Sequence, residues 1–330
     1  MINGLHHVTI LASDPQKNLD FYAGVLGLRL VKKTVNFDAP YVYHLYYGNR
    51  EAGPGSIITF FPWPGIKRGI RGPGQVTTVA LSIPHKSINF WMDRLERSNV
   101  FFQKPFTRWN EEVISLQDPD GLRIDLVAGE GDKREGYDSG GIPAAHSIRG
   151  MYSVELTLSK TDESLSTLSG TLGFTQVRES GNRIRMQAHM DGDRDSSGKP
   201  SAIPGCLIDV IKHPGNLRPS PGAGIVHHVA FRTPDITSQH RVHELIELKG
   251  LRVTDVKDRK YFNSIYFREP SGILLEVATD GPGFMVDEKA DSLGTHLQLP
   301  DWEEGDRGNI ERQLPPIHLP GNASGQRATV

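Results

Sequence analysis

The sequence predicts an α+β fold built from four βαβββ modules in two domains. Three observations carry that prediction. A short strand motif recurs four times at near-constant spacing. Each copy is followed 20 to 22 residues later by a residue that ends a helix. The second and fourth copies close on the same kind of acidic-Pro-x-Gly turn.

The four strands are His6-His7-Val8-Thr9-Ile10, Thr77-Thr78-Val79-Ala80-Leu81, Tyr152-Ser153-Val154-Glu155-Leu156 and His227-His228-Val229-Ala230-Phe231. Their second residues lie 71, 75 and 75 positions apart, and a fixed period marks repeated supersecondary units. A helix follows each strand. In the first module Asp14 offers an N-cap and Pro15 suits the first helical position; Leu19, Phe21, Tyr22, Val25 and Leu26 supply the apolar face. The second helix carries Trp91 and Leu95, the third Asp162 with Leu165, Leu168 and Leu172, and the fourth Val242, Leu245 and Ile246. Gly27, Asn99, Gly173 and Gly250 stand where a left-handed residue would end each helix. The modules then close with strands. Asp118-Pro119-Asp120-Gly121 precedes Leu122–Val127, and Glu269-Pro270-Ser271-Gly272 precedes Ile273–Val277. Both suit a tight turn between strands, and both place an acid four residues after the glycine, so Asp125 and Glu276 are structural equivalents.

Size and composition agree. A chain of 330 residues with 37% hydrophobic content suits two domains with real cores. The division expected along the chain is 1–135 for the first pair of modules, 136–150 for a glycine-rich connection and 151–285 for the second pair. Residues 286–330 follow as an extended, proline-punctuated arm, disordered from Gly321 onward. A net charge of −2 gives no global field for nucleic acid or acidic membrane. The most basic stretch, Lys67-Arg68-Gly69-Ile70-Arg71, reads as a solvated loop rather than a phosphate site. Cys206 stands alone, which rules out an internal disulfide framework and fits a reducing, cytoplasmic compartment; its strand-like surroundings mark it as a small buried hydrophobe. No signal peptide or membrane span is legible. A homo-oligomer is compatible with the sequence but not specified by it.

Only the first and fourth modules keep histidine at the repeated strand position; the second has Thr78 and the third Ser153. Two histidines and Glu276 on neighbouring strands make a facial triad, the donor set of non-haem Fe(II), and leave three positions of an octahedral ion open. Mn(II) suits the same donors. Module two is an internal control: with Thr78 and Asp125 it should bind no metal.

These strands and turns, over roughly residues 1–285, resemble the vicinal oxygen chelate superfamily of glyoxalases, bleomycin-resistance proteins and extradiol dioxygenases. The resemblance implies that each domain is a mixed-sheet open barrel. It also implies that the ligand of each His-His pair is the residue before the valine, giving His7, His228 and Glu276, with His6 and His227 facing away or beside the ligands. More narrowly, the chain is similar to hydroquinone-type ring-cleaving dioxygenases. The shared features are His-His-Val in the first and last modules, a linker like Ile142–Gly150, residues matching Arg259, Tyr266 and Glu276, and a tail like Leu314-Pro315-Pro316. Module three departs locally, reading Met151-Tyr152-Ser153-Val154.

What this implies is iron(II)-dependent cleavage of an aromatic diol, a 1,4-hydroquinone, by O₂. Tyr266 would orient substrate or donate a proton, Arg259 would hold an oxyanion, and His227 would shuttle protons. Each has a plainer reading: a strand aromatic, part of the charge run Lys257-Asp258-Arg259-Lys260, and an outward-facing residue. A simple hairpin across 269–272 would set Tyr266 and Glu276 on opposite faces, so the role of Tyr266 requires a bulge or an offset register. Phe60-Phe61-Pro62-Trp63-Pro64 reads equally as a pocket wall and as packing. Two other functions compete. A glyoxalase-like isomerase or lyase would need a fourth ligand, which Thr78 and Ser153 do not supply. A non-catalytic small-molecule binder of the resistance type would need no triad.

Overall fold

The structure, a computed structural model, describes residues 2–188, 203–213 and 217–319. All four modules appear. The first comprises β1 (Leu5–Ala12), α1 (Pro15–Leu19), β2 (Arg29–Asn36), β3 (Ala39–Gly48) and β4 (Ile57–Pro62). The second comprises β5 (Gln75–Ile83), α2 (Ile88–Arg97), β6 (Phe106–Arg108), β7 (Glu111–Gln117) and β8 (Arg123–Ala128). The third comprises β9 (Gly150–Leu158), α3 (Thr161–Gly170), β10 (Phe174–Ser180), β11 (Arg183–Ala188) and β12 (Leu207–Lys212). The fourth comprises β13 (Val226–Thr233), α4 (Ile236–Leu248), β14 (Lys257–Asp258), β15 (Phe262–Arg268) and β16 (Leu274–Pro282).

Local chemistry explains these boundaries. The Asp14 carboxylate accepts the Lys17 N–H at 2.9 Å and Pro15 opens α1, which relaxes into a π-helical turn over Asp20–Val25. Gly27, Asn99, Gly173 and Gly250 all have left-handed backbones, with φ of 66°, 57°, 78° and 79°. Helix α3 begins at Thr161, with Asp162 inside its first turn rather than capping it.

Modules one and two do not share a sheet, and neither do modules three and four. One eight-stranded mixed sheet has the order β14-β15-β16-β13-β1-β4-β3-β2 and joins modules one and four. The other, β10-β11-β12-β9-β5-β8-β7-β6, joins modules two and three. Both sheets curl into half-barrels whose middle strands pair antiparallel, β1 with β13 and β5 with β9. Sheet hydrogen bonding therefore couples modules on either side of residues 136–150.

The segment after β16 is less extended than its prolines imply. It contains 3₁₀ turns and a short helix, α5 (Arg307–Gln313). Leu299, Ile310 and Leu314 are buried, and the Gln298 N–H donates to the Lys33 carbonyl at 2.9 Å. The expectation for Gly321–Val330 lies outside the described residues. Cys206 is buried just ahead of β12. Among the described residues, no helix is long and apolar enough to cross a membrane.

Candidate metal centre

Three adjacent strands of the first sheet converge on one point. In the register His7 lies opposite Ala230, and Ala230 beside Glu276. These residues form a row across β1, β13 and β16, with His228 two residues back along β13. Strand alternation turns His7, His228 and Glu276 to the same concave face, where all three are buried. His7 Nε2 lies 3.3 Å from His228 Nε2, and Glu276 Oε2 lies 3.4 Å from the first and 2.9 Å from the second. Among the described residues this is the one group of three histidine, cysteine or acidic side chains whose ligand atoms lie within 4.8 Å of one another.

The donor set fits a cation. Glu276 Oε2 is buried and accepts no hydrogen bond, although it faces two imidazole nitrogens at close range. Donors bonded at ~2.1 Å and at right angles around an octahedral ion stand about 3 Å apart, matching these separations. Burial alone would raise the Glu276 carboxyl, but the two imidazoles outweigh it and hold the group well below the usual carboxylate range. Its other oxygen, Oε1, accepts the Ser264 hydroxyl, which orients the carboxylate. Burial also lowers His228, favouring the neutral ring that a metal requires.

Each inner histidine leans on its neighbour. His6 Nδ1 is 2.9 Å from His7 Nδ1, and His227 Nδ1 is 2.7 Å from His228 Nδ1. Neither outer histidine joins the cluster. His6 is buried against Phe262, and burial followed by the proximity of His7 brings its pKa to about 3. His227 stands at the rim of the adjoining cavity.

That cavity, of about 440 Å³, opens over the cluster and is walled by Phe61, Trp63, Phe37, Phe262 and Leu274. The Phe-Phe-Pro-Trp segment thus divides its work, since Phe60 belongs to the core. Tyr266 and Arg259 also line it. Tyr266 pairs directly with Glu276, because Arg268 pairs with Leu274 and leaves a five-residue loop. This is the offset register that puts both side chains on one face; no bulge intervenes between Tyr266 and the turn. Arg259 Nε donates to Tyr266 Oη at 3.1 Å, and Asp38 lies 3.7 Å from the guanidinium. Burial and the Glu276 charge raise the Tyr266 hydroxyl well above its ordinary pKa, so it remains a donor at neutral pH.

Sequence reasoning missed the opposite wall. His44 and Tyr46, alternate residues of β3, line the same cavity. His44 Nδ1 lies 2.8 Å from Tyr46 Oη and its Nε2 lies 2.7 Å from Thr59 Oγ1. Two polar side chains on the inward face of an otherwise buried strand were the available signal.

The second sheet gives the comparison. There Ala80 lies opposite Ser153 and beside Asp125, the pattern of Ala230 with His7 and Glu276. No imidazole stands at either place. Asp125 is held by Arg108 at 2.7 Å, and on the same face Arg185 is buried between Glu111 and Asp209.

Comparison with known proteins accords with this architecture. The sequence profile of the glyoxalase/bleomycin resistance protein/dioxygenase superfamily matches residues 4–126 and 150–277. The chain belongs to that superfamily. It is 40% identical over 316 residues to a Bacillus subtilis protein named as the ring-cleaving dioxygenase MhqO, covering 96% of this chain and 97% of that one. It is 31% identical over 323 residues to the chlorohydroquinone/hydroquinone 1,2-dioxygenase of Sphingobium indicum, covering 95% and 96%. The crystal structure of a Bacillus subtilis protein described as a dioxygenase superposes with a TM-score of 0.89 at 39% identity, covering 96% of this chain and 98% of that one. Ring-cleaving dioxygenases, a hydroquinone dioxygenase among them, are thus its full-length homologues.

Proposed function

We propose that this protein is an iron(II)-dependent, extradiol-type dioxygenase of the cytoplasm that opens an aromatic diol, a 1,4-hydroquinone, with O₂. The observation that carries the reading is Glu276 Oε2, a buried anionic oxygen without a hydrogen bond, set beside two imidazole nitrogens. His7, His228 and Glu276 would hold the metal. When bound, iron(II) would supply Lewis acidity to the diol and the electron transfer that lets O₂ react; manganese(II) suits the same donors.

The chain's own groups account for the rest. The Nδ1 contacts of His7 and His228 with His6 and His227 fix ring orientation and tautomer, leaving each Nε2 lone pair aimed at the cluster. The aromatic walls accept a planar ring and exclude water from it. Tyr266, its oxygen already accepting from Arg259, keeps its own proton free to orient or protonate a substrate oxygen. The Arg259 charge suits an oxyanion. His227, at the rim, is held neutral, its pKa lowered to about 4 by burial and then by His228, so it orients His228 rather than shuttling protons at neutral pH. Neither competing reading accounts as well for the site: an isomerase would need a fourth ligand from the chain, and a passive binder would leave Glu276 Oε2 unexplained.

The test is oxygen uptake by metal-stripped protein reloaded anaerobically with Fe(II) or Mn(II), using hydroquinone, chlorohydroquinone and catechol as substrates. Uptake should depend on the metal and favour the 1,4-diols. No uptake with either metal on any of the three would overturn the proposal.

A further inference from the structure

The basic stretch Lys67–Arg71 is not the uniformly solvated loop its sequence implies. Arg68 lies across the Asp118–Gly121 turn, over Gly121, where a Cβ would collide with its guanidinium. Its Nη2 donates to Gln117 Oε1 at 3.1 Å. Arg71 turns inward. Its Nη1 is closed off from solvent and has no hydrogen-bond partner. With Arg123, Gln103, Ser115 and Gln117 it lines a cavity of about 220 Å³.

The internal repeat gives this cavity its meaning. Asp125 pairs with Ser115 as Glu276 pairs with Tyr266. Ser115 is therefore the counterpart of Tyr266, and Arg123 that of Leu274, both of which line the cavity over the metal cluster. This hollow of the second sheet thus shares two lining positions, Ser115 and Arg123, with the cavity over the metal cluster, and it presents guanidinium and amide donors there.

Most carboxylate oxygens nearby are already engaged. Asp125 Oδ2 is held by Arg108 at 2.7 Å; its Oδ1, buried and without a hydrogen bond, lies 3.8 Å from Arg123 Nε, which donates instead to Ser115 Oγ at 3.2 Å. Asp118 accepts from the Tyr22 hydroxyl and from the N–H groups of Asp120 and Leu122. Glu155 accepts from Arg183, Thr77 and Thr78. Burial, followed by the like charges of Arg123 and Arg68, depresses Arg71. A buried cationic donor without an acceptor is unfavourable, and a charged acceptor supplies what it lacks.

We propose that this hollow is a second ligand site, separate from the metal centre, in which Arg71 and Arg123 bind a small oxyanion, a carboxylate or a phosphate. Gln103 and Gln117 line the same hollow and offer amide N–H donors.

Titration calorimetry on the full-length protein, with inorganic phosphate and with succinate at constant ionic strength, separates the two sources. At least one should bind saturably at one per chain. Arg71→Gln and Arg123→Gln should each weaken that binding at least tenfold, about 1.4 kcal/mol, whereas Arg50→Gln on an exposed turn should leave it unchanged. If Arg71→Gln does not fold, Arg123→Gln and selenate-soaked crystals of the unmodified protein decide, with an anomalous peak expected between the two guanidinium groups. Absence of saturable binding by either anion would overturn the proposal. So would binding that both substitutions leave intact, or a soaked crystal with no peak there.

Discussion

Replacing Arg185 with methionine tests the contrast between the two sheets. Arg185 is fully buried. Its Nε and Nη2 reach Asp209 at 2.7 and 2.9 Å, and Nη1 and Nη2 reach Glu111. Its guanidinium also stacks 4.4 Å from the centre of the Trp109 ring. Removing one partner of a buried ion pair costs about 3–5 kcal/mol, because the other charge is stranded. Asp209 would keep Arg183 at 3.0 Å, and Glu111 would keep the Tyr152 hydroxyl at 2.5 Å, so the lower end applies. A loss of about 3 kcal/mol lowers the midpoint of thermal unfolding by roughly 6–12 °C for a domain of this size class. Adding Glu111→Gln should recover at least ~1 kcal/mol by neutralising the stranded charge. Urea and thermal unfolding read the stability, and metal analysis of the folded fraction should show unchanged content, since the network belongs to the other sheet. A loss below about 1 kcal/mol, or a double variant weaker than the single one, would refute the reasoning.

Other expectations follow from the metal cluster. Glu276→Ala should abolish metal occupancy while the far-ultraviolet spectrum stays native, whereas His6→Ala and His227→Ala should retain metal; full metal content in Glu276→Ala would remove the assignment. Tyr266→Phe should slow turnover by ~10²–10⁴-fold if its hydroxyl donates the proton, with metal content little changed; turnover equal to that of the unmodified protein would discount the role. The metal-free protein should weaken as pH falls below 6.5. His6 is held neutral down to about 3 in the fold but takes a proton near 6.5 when unfolded, so the unfolded state gains protons first. Between pH 7.5 and 5.5 this one residue removes about 1.4 kcal/mol, and urea unfolding of His6→Asn over that range should show a correspondingly shallower decline.

The repeat was legible because its marks are local. The strand motif, the helix-ending Gly27, Asn99, Gly173 and Gly250, and the turns before Asp125 and Glu276 each depend on a few adjacent residues. His7, His228 and Glu276 were identifiable because the other modules offered the same positions with different side chains. Sheet pairing was not legible: whether β1 meets β13 or a nearer strand is a long-range choice that no short motif encodes. The facing of Tyr266 and Glu276 turned on one residue of loop length after Arg268. Ser264, His44 and Tyr46 escaped notice because a polar residue in an alternating strand reads the same whether it faces water or a buried cavity. The enclosed Nη1 of Arg71 was not legible for a related reason, since a glycine-rich basic loop carries no sign of which guanidinium turns inward.

The central claim, that this site uses O₂ to open a diol ring, is tested most directly with ¹⁸O₂. The Fe(II)-loaded protein should consume one O₂ per hydroquinone and yield a ring-opened acid carrying both labelled atoms, and Glu276→Ala should yield none. Conversion of the quinol to quinone alone, with no label in any ring-opened product, would contradict the account.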